Sequence, residues 1–206
     1  QRNNLLKDPD KYLIRDTLPV WDEQLTKEAG KIIKARNDFL AELSPIAQEK
    51  HAILSGGKEK LTMTTESGYY GGEEEIACAL KKDLSLALEK DMRLGFTSLG
   101  PHRDDIKFLL NDLDSRVYGS QGQQRTIALS LKLAETELFK NRFNEYPILI
   151  LDDVLSELDK SRQRKLVELV AGIQTIFTCT HFDRTVFKQN QINKITIVNG
   201  RKRKSK

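Results

Sequence analysis

Residues 147–159, Pro-Ile-Leu-Ile-Leu-Asp-Asp-Val-Leu-Ser-Glu-Leu-Asp, set four consecutive aliphatic side chains, Ile148 to Leu151, directly ahead of two carboxylates, Asp152 and Asp153. An unbroken apolar run of this length is the pattern of a strand buried on both faces, as in a parallel sheet covered by helices. The carboxylates then emerge at the strand's carboxyl end, the edge where open α/β sheets bind ligands. In folds that hydrolyse nucleotides, that position carries a Mg²⁺ contact and a group that polarises the attacking water. On these residues alone the alternative is an aspartate pair that caps the following loop.

One helix upstream lies Gly119-Ser120-Gln121-Gly122-Gln123-Gln124, at the head of a helix predicted over Gly122 to Phe143. Two glycines and a hydroxyl at a helix start let backbone amides approach a phosphate closely, although serine there is also the ordinary N-cap. Around this pair of segments the pattern predicts a strand over Ile106 to Leu110 and a helix over Ser161 to Ala171. Ile173 to Thr178 reads as a further strand, Asp183 to Lys188 as a short helix, and Lys194 to Val198 as a last strand. Such alternation implies a parallel or mixed sheet covered by helices, so residues 95–206 read as an α/β lobe. No stretch matches G-x-x-x-x-G-K-[ST], the loop that cradles nucleotide phosphates.

The pattern before Gly95 differs. Leu25, Ala29, Ile32, Ile33, Phe39, Leu40, Leu43 and Ala47 recur at three- and four-residue steps, predicting one long helix from Thr17 to about Leu54. Pro19 falls in its first turn, and Pro45 is expected to bend it or mark a join. Lys60 to Glu66 alternates like a short edge strand. Glu73, Glu74 and Glu75 open a second helix, to about Arg93, along which Ile76, Leu80, Leu84 and Leu88 form the stripe that pairs with the first. Residues 1–94 thus read as a mainly helical arm or lid.

Composition fits a protein with long exposed helices: 38% of the 206 residues are hydrophobic and 31% charged. No apolar run approaches the roughly 20 residues that span a bilayer, and the chain is read as cytoplasmic. Cys78 and Cys179 lack paired-ligand spacing, which excludes a zinc reading and leaves reduced, partly buried thiols. Of the net charge of +4, a cluster at Arg201, Lys202, Arg203, Lys204 and Lys206 supplies more than the whole, so the body is not basic. A tail of this kind either contacts phosphates or is simply solvated.

Taken in order, GSQGQQRT, PILILDDVLSELD and TCTHFD resemble the later half of an ATP-binding-cassette-type ATPase head: signature motif, acidic strand with its D-loop, and switch histidine. With Gly100-Pro101-His102-Arg103-Asp104-Asp105 ahead of them, they resemble more specifically the RecF family of bacterial recombination and gap-repair proteins. The resemblance covers residues 100–200 in motifs and the helical part in pattern only. It implies that Ser120, Gln121, Gly122 and Gln123 complete the ATP site of a second subunit in a head-to-tail homodimer. It further implies that Asp152 is the metal-side acid, Asp153 the catalytic carboxylate, Ser156 to Asp159 the D-loop, and His181 the sensor of the terminal phosphate. Aspartate at 153, where transporters generally carry glutamate, fits a slow, switch-like ATPase. Arg103 is open between a phosphate contact and an ion pair with Asp104 or Asp105.

The function implied is ATP-dependent dimerisation and DNA binding, helping RecA loading at gapped DNA with RecO and RecR, with slow DNA-dependent hydrolysis in the full-length protein. A structural, chromosome-organising head of the SMC type, a transporter-coupled ATPase and an interaction module without ATPase activity are the competing readings. The family's glycine-rich phosphate loop has no counterpart here. Gly56-Gly57-Lys58 lacks both the upstream glycine and the following hydroxyl. The chain is therefore expected to be a carboxyl-terminal portion, inactive alone, whose use of ATP and Mg²⁺ requires the missing loop.

Overall fold

A 45-residue helix, α2 (Lys11–Ser55), organises the molecule, which the computed structural model describes over residues 1–187 and 192–202. It starts earlier than its apolar periodicity indicates because Asp10 accepts from the Tyr12 and Leu13 amides and so caps it. Pro45 does not end it, and Pro19 lies in its third turn. Pro45, Ala41 four residues before it, Pro19 and Arg15 are all exposed, so water can solvate the carbonyls that the prolines leave without a donor. Gly56, in the left-handed region at φ 76°, terminates the helix.

A short helix, α1 (Arg2–Leu5), precedes α2, and strand β1 (Leu61–Thr65) follows it. The predicted second helix is two, α3 (Glu73–Leu86) and α4 (Leu88–Leu94), broken at Ala87. Ile76, Leu80 and Leu84 on α3 pack against Ala29 and Ile33 of α2. The break carries Leu88 to a different cluster, with Leu6, Ile14 and Leu18. Ile32 and Phe39, assigned to the buried stripe by spacing, are 45% and 41% exposed.

β2 (Ile106–Leu110) pairs antiparallel with β1, in the register Leu61 to Leu110, and with β3 (Leu113–Asp114). It therefore belongs to a three-stranded antiparallel sheet, not to a sheet shared with the acidic strand. The sheet joins residues on either side of position 94. Helix α5 (Ser115–Tyr118) leads into α6 (Gln121–Phe143), β4 (Leu149–Asp152), a 3₁₀ turn (Val154–Glu157), α7 (Lys160–Leu169) and β5 (Thr175–Thr178). β4 and β5 pair in parallel, with Asp152 opposite Thr178.

Leu149 and Leu151 point into the core formed with Leu129 and Leu133 of α6 and with Leu166, Val167 and Val170. The opposite face is open: Ile148 is 58% exposed, Ile150 66% and Ile176 49%. The expectation of a strand buried on both faces is thus corrected, since among the described residues helices cover one face only. Residues 183–187 form successive turns rather than a helix, and Lys188 lies outside the described residues. The last predicted strand shortens to β6 (Ile197–Val198), which forms a hairpin with β7 (Arg201–Lys202) separate from the parallel pair. Cys179 is partly buried as expected, whereas Cys78 is exposed; both are free thiols.

Candidate functional site

Asp152 and Asp153 stand at the exposed carboxyl end of β4. Their partner across the pair is Thr178, whose hydroxyl donates to Asp152 Oδ1 and accepts from the Asp153 amide at 3.0 Å. The Thr178 carbonyl also accepts from that amide, at 3.2 Å. One threonine therefore fixes both the orientation of the first carboxylate and the backbone of the second. Asp153 adopts φ 50°, in the left-handed region, where aspartate is among the better-tolerated side chains. The backbone thus gives its own reason for the shorter acid at this position.

The chain then turns through Ser156, whose amide and hydroxyl donate to the Asp153 carbonyl at 3.2 and 2.8 Å. Asp159 caps α7 by accepting from the Ser161 and Arg162 amides at 2.9 and 3.0 Å, and the Arg162 amide is the main reason its carboxyl is held below the usual range. Gln163 donates to the Leu155 and Leu158 carbonyls at 2.5 and 3.0 Å, pinning this segment from the helix side. His181 is exposed in the bend beyond β5. Parallel pairing of Asp152 with Thr178 puts it at the same sheet edge as the two aspartates.

Ser120 is the N-cap of α6. Its hydroxyl accepts from the Gln123 amide at 3.3 Å while Gln123 Oε1 accepts from the Ser120 amide at 2.8 Å, a reciprocal capping box. The turn before it requires glycine, because a Cβ on Gly119 would sit 2.4 Å from the Ser115 carbonyl oxygen. Gln121 is exposed, and the Gly122 carbonyl accepts from Thr126 Oγ1 at 2.7 Å. Arg125, one turn along, bridges to Glu157 at 2.8 Å and so ties this helix to the segment after the aspartates.

Arg103 pairs with neither Asp104 nor Asp105. Its guanidinium lies 4.6 Å over the Phe96 ring and donates to the Thr97 carbonyl at 3.3 Å. Asp105 pairs instead with Arg116 at 2.6 Å. Asp104 lines a cavity of about 260 Å³ with Arg36, Asn37, Thr65 and Ser67; its Oδ2 is buried without a hydrogen-bond partner, and burial raises its carboxyl above the usual range. Arg103 and the acidic strand end are thus held by separate contacts.

Sequence reasoning gave no separate role to Thr178, Arg125 and Glu157, and it missed Gln163, Glu59, which accepts from Gln123, and Arg162, which reaches the Gly122 carbonyl. Gln163, Glu59 and Arg162 lie outside the motifs, and Thr178 becomes informative only once strand register puts it opposite Asp152. Asp152 suits Mg²⁺, because an exposed carboxylate oriented by a hydroxyl matches an ion that takes one or two carboxylates and draws its other ligands from phosphate and water.

A capped, glycine-containing helix start and a double-aspartate strand end with a pinned turn, on helices packed against a parallel strand pair, define a lobe of an ATP-binding-cassette-type ATPase head. No protein-family model matches the chain. Curated relatives do: the DNA replication and repair protein RecF of Lachnoclostridium phytofermentans is 48% identical over 197 residues, 95% of this chain and 53% of that protein. RecF of Agathobacter rectalis is 46% identical over 199 residues, 95% of this chain and 52% of that protein. Among solved structures, one described as the recombination mediator protein RecF-ATPrS in the RecFOR pathway superposes with a TM-score of 0.74 at 38% identity, over 87% of this chain and 50% of that one. A RecF-ATP structure gives 0.72 at 36% identity, over 88% of this chain and 50% of that one. The chain belongs to the RecF family, and it spans about half the length of the curated relatives it matches.

Proposed function

We propose that this chain is the signature-bearing lobe of a cytoplasmic, RecF-type DNA repair protein that dimerises head to tail on DNA when ATP is bound. In the full-length protein it would act with RecO and RecR in loading RecA at gapped DNA. The observation that carries this reading is the pairing of two exposed structures at the ends of one core: the Ser120 to Gln123 helix start and the Asp152–Asp153 strand end. Each is braced from behind and open in front, as expected of two half-sites completed by a second subunit. The names of the relatives and the ATP-bound state of the matched structures support it.

In this reading the Ser120 hydroxyl and the Gln121 and Gly122 amides, which the capping box leaves free to donate, close over nucleotide held by the partner, where the positive end of α6 favours phosphate. Asp152 would hold Mg²⁺, which would supply positive charge to neutralise the phosphates. Asp153, exposed beside it, orients the attacking water; His181 senses the terminal phosphate from the neighbouring strand end; and Ser156 to Asp159 line the path between the half-sites. Thr178 keeps Asp152 oriented. ATP acts mainly as a joint between subunits, and hydrolysis releases the dimer. DNA contact is to backbone phosphates, so affinity falls steeply with salt.

The structure also bears on the SMC-type alternative. The amino end of α2 is closed over by Leu6, Leu88 and Met92, and Arg2 bridges Asp22 at 2.5 Å and Asp91 at 2.8 Å. A closed end favours a lid over a long tether. In the full-length protein, Asp153→Asn is expected to retain ATP-dependent dimerisation while turnover falls at least about 100-fold, the usual contribution of a positioned base. Ser120→Arg is expected to abolish dimerisation. Unaltered turnover in Asp153→Asn, measured by phosphate release, would remove Asp153 from this role.

A further inference from the structure

Glu59 belongs to none of the motifs, yet three elements meet on its carboxylate. It lies in the link between α2 and β1, with its side chain 13% exposed. Oε2 accepts from His51 Nε2, on α2, at 3.2 Å. Oε1 accepts from Gln123 Nε2, in the first turn of α6, at 3.1 Å, and from Arg162 Nη2, in the first turn of α7, at 3.4 Å. Gln123 is the same side chain whose Oε1 closes the capping box on Ser120. Arg162 reaches the Gly122 carbonyl through Nη1 at 3.4 Å, and its amide is held by Asp159.

The signature turn, the cap of α7 and the end of the long helix therefore converge on one shielded carboxylate. A carboxylate shared among three donors away from solvent polarises each of them. Removing it leaves the Arg162 guanidinium, 21% exposed, with the more exposed Asp159 carboxylate, 3.6 Å from its Nε, as the remaining counter-charge, and leaves the Gln123 side-chain amide without an acceptor. His51 is fully buried, and because a carboxylate only accepts, its Nε2 carries the proton. The end of α2 is thus locked to the same point.

We propose that Glu59 is a positioning residue: the joint through which the long helix sets the alignment of the Ser120–Gln123 turn with the α7 cap, and hence the fit of this lobe to nucleotide on a second copy. The consequence for dimerisation rests on the function proposed above; the mechanical linkage does not.

The test uses full-length protein carrying Glu59→Ala or Glu59→Gln, with thermal melting to establish folding. Without nucleotide, amide exchange read by mass spectrometry is expected to accelerate about tenfold in Glu59→Ala, at Gln123 to Arg125 and at Ser161 to Gln163 together. With ATP, sedimentation is expected to show dimerisation weakened about tenfold, while ATP binding to the monomer is unchanged. Glu59→Gln, which keeps an acceptor for Gln123 but not the charge facing Arg162, is expected to fall between, and it carries the test if the alanine variant does not fold. Unchanged exchange, or acceleration at only one of the two helix starts, overturns the joint. Accelerated exchange with unaltered dimerisation overturns its role in assembly. If the unsubstituted protein does not dimerise with ATP, the function proposed above fails, and the exchange result still decides for or against the joint.

Discussion

His51 is buried among Ser130, Thr126, Glu59 and Arg162, and burial holds its imidazole below its ordinary value of 6.5, against the opposing pull of Glu59. A histidine whose folded-state pKa is depressed binds fewer protons than it does in the unfolded chain, so the folded state loses stability as pH drops below 6.5 and gains nothing from this residue above it. Denaturant titrations of the unsubstituted chain are therefore expected to show stability rising with pH up to 6.5. That rise should flatten in His51→Gln; an unchanged slope would mean that His51 titrates alike in both states. At this scale the sequence revealed residues that form patterns and hid those that support them. Asp152, Asp153 and Ser120 were legible because a strand end and a helix start have composition cues. Thr178 and Glu59 were not, because their roles depend on which strand or helix end folds beside them.

Between elements, the tightest constraint falls at Gly30, where α2 and α3 cross. A Cβ there would lie 2.5 Å from the Glu73 carbonyl oxygen. Alanine is favoured over glycine by about 1 kcal/mol inside a helix, so Gly30→Ala at an open site would stabilise. Here the added methyl must push the start of α3 away, and a net loss of about 1–3 kcal/mol is expected from urea unfolding. A gain would show that the crossing is looser than the geometry indicates. Helices were legible as elements because their apolar stripes repeat, yet three of their features were not. Asp10 moved the start of α2, the exposure of Pro45 kept that helix whole, and the break at Ala87 divided the predicted second helix. A cap, a solvated proline and a one-residue break are local events that the apolar spacing does not report.

At the scale of the molecule, β4 and β5 carry an apolar face that no described residue covers, with Ile150 opposite Ile176 on a two-stranded sheet and the exposed Ile148 just ahead of β4. Such a face drives association. The chain by itself is expected to self-associate, and Ile150→Lys to reduce that association several-fold by light scattering without lowering the melting temperature. An unchanged light-scattering profile would show that the face is not the contact. The α/β class was legible from alternating periodicities, but the division into separate sheets was not. β2 finds its partner β1 across two intervening helices, and no local pattern reports so distant a pairing. The long helix carries one last consequence. Each of the four apolar clusters takes residues from α2: Ile14 and Leu18, Ala29 and Ile33, Leu43 and Ala47, and Leu54. None can form without its own stretch of that helix, and helix formation is cooperative along its length. The arm and the α/β lobe are therefore bound to one fate in folding, and damage to a cluster at one end is felt as lost cooperativity at the other.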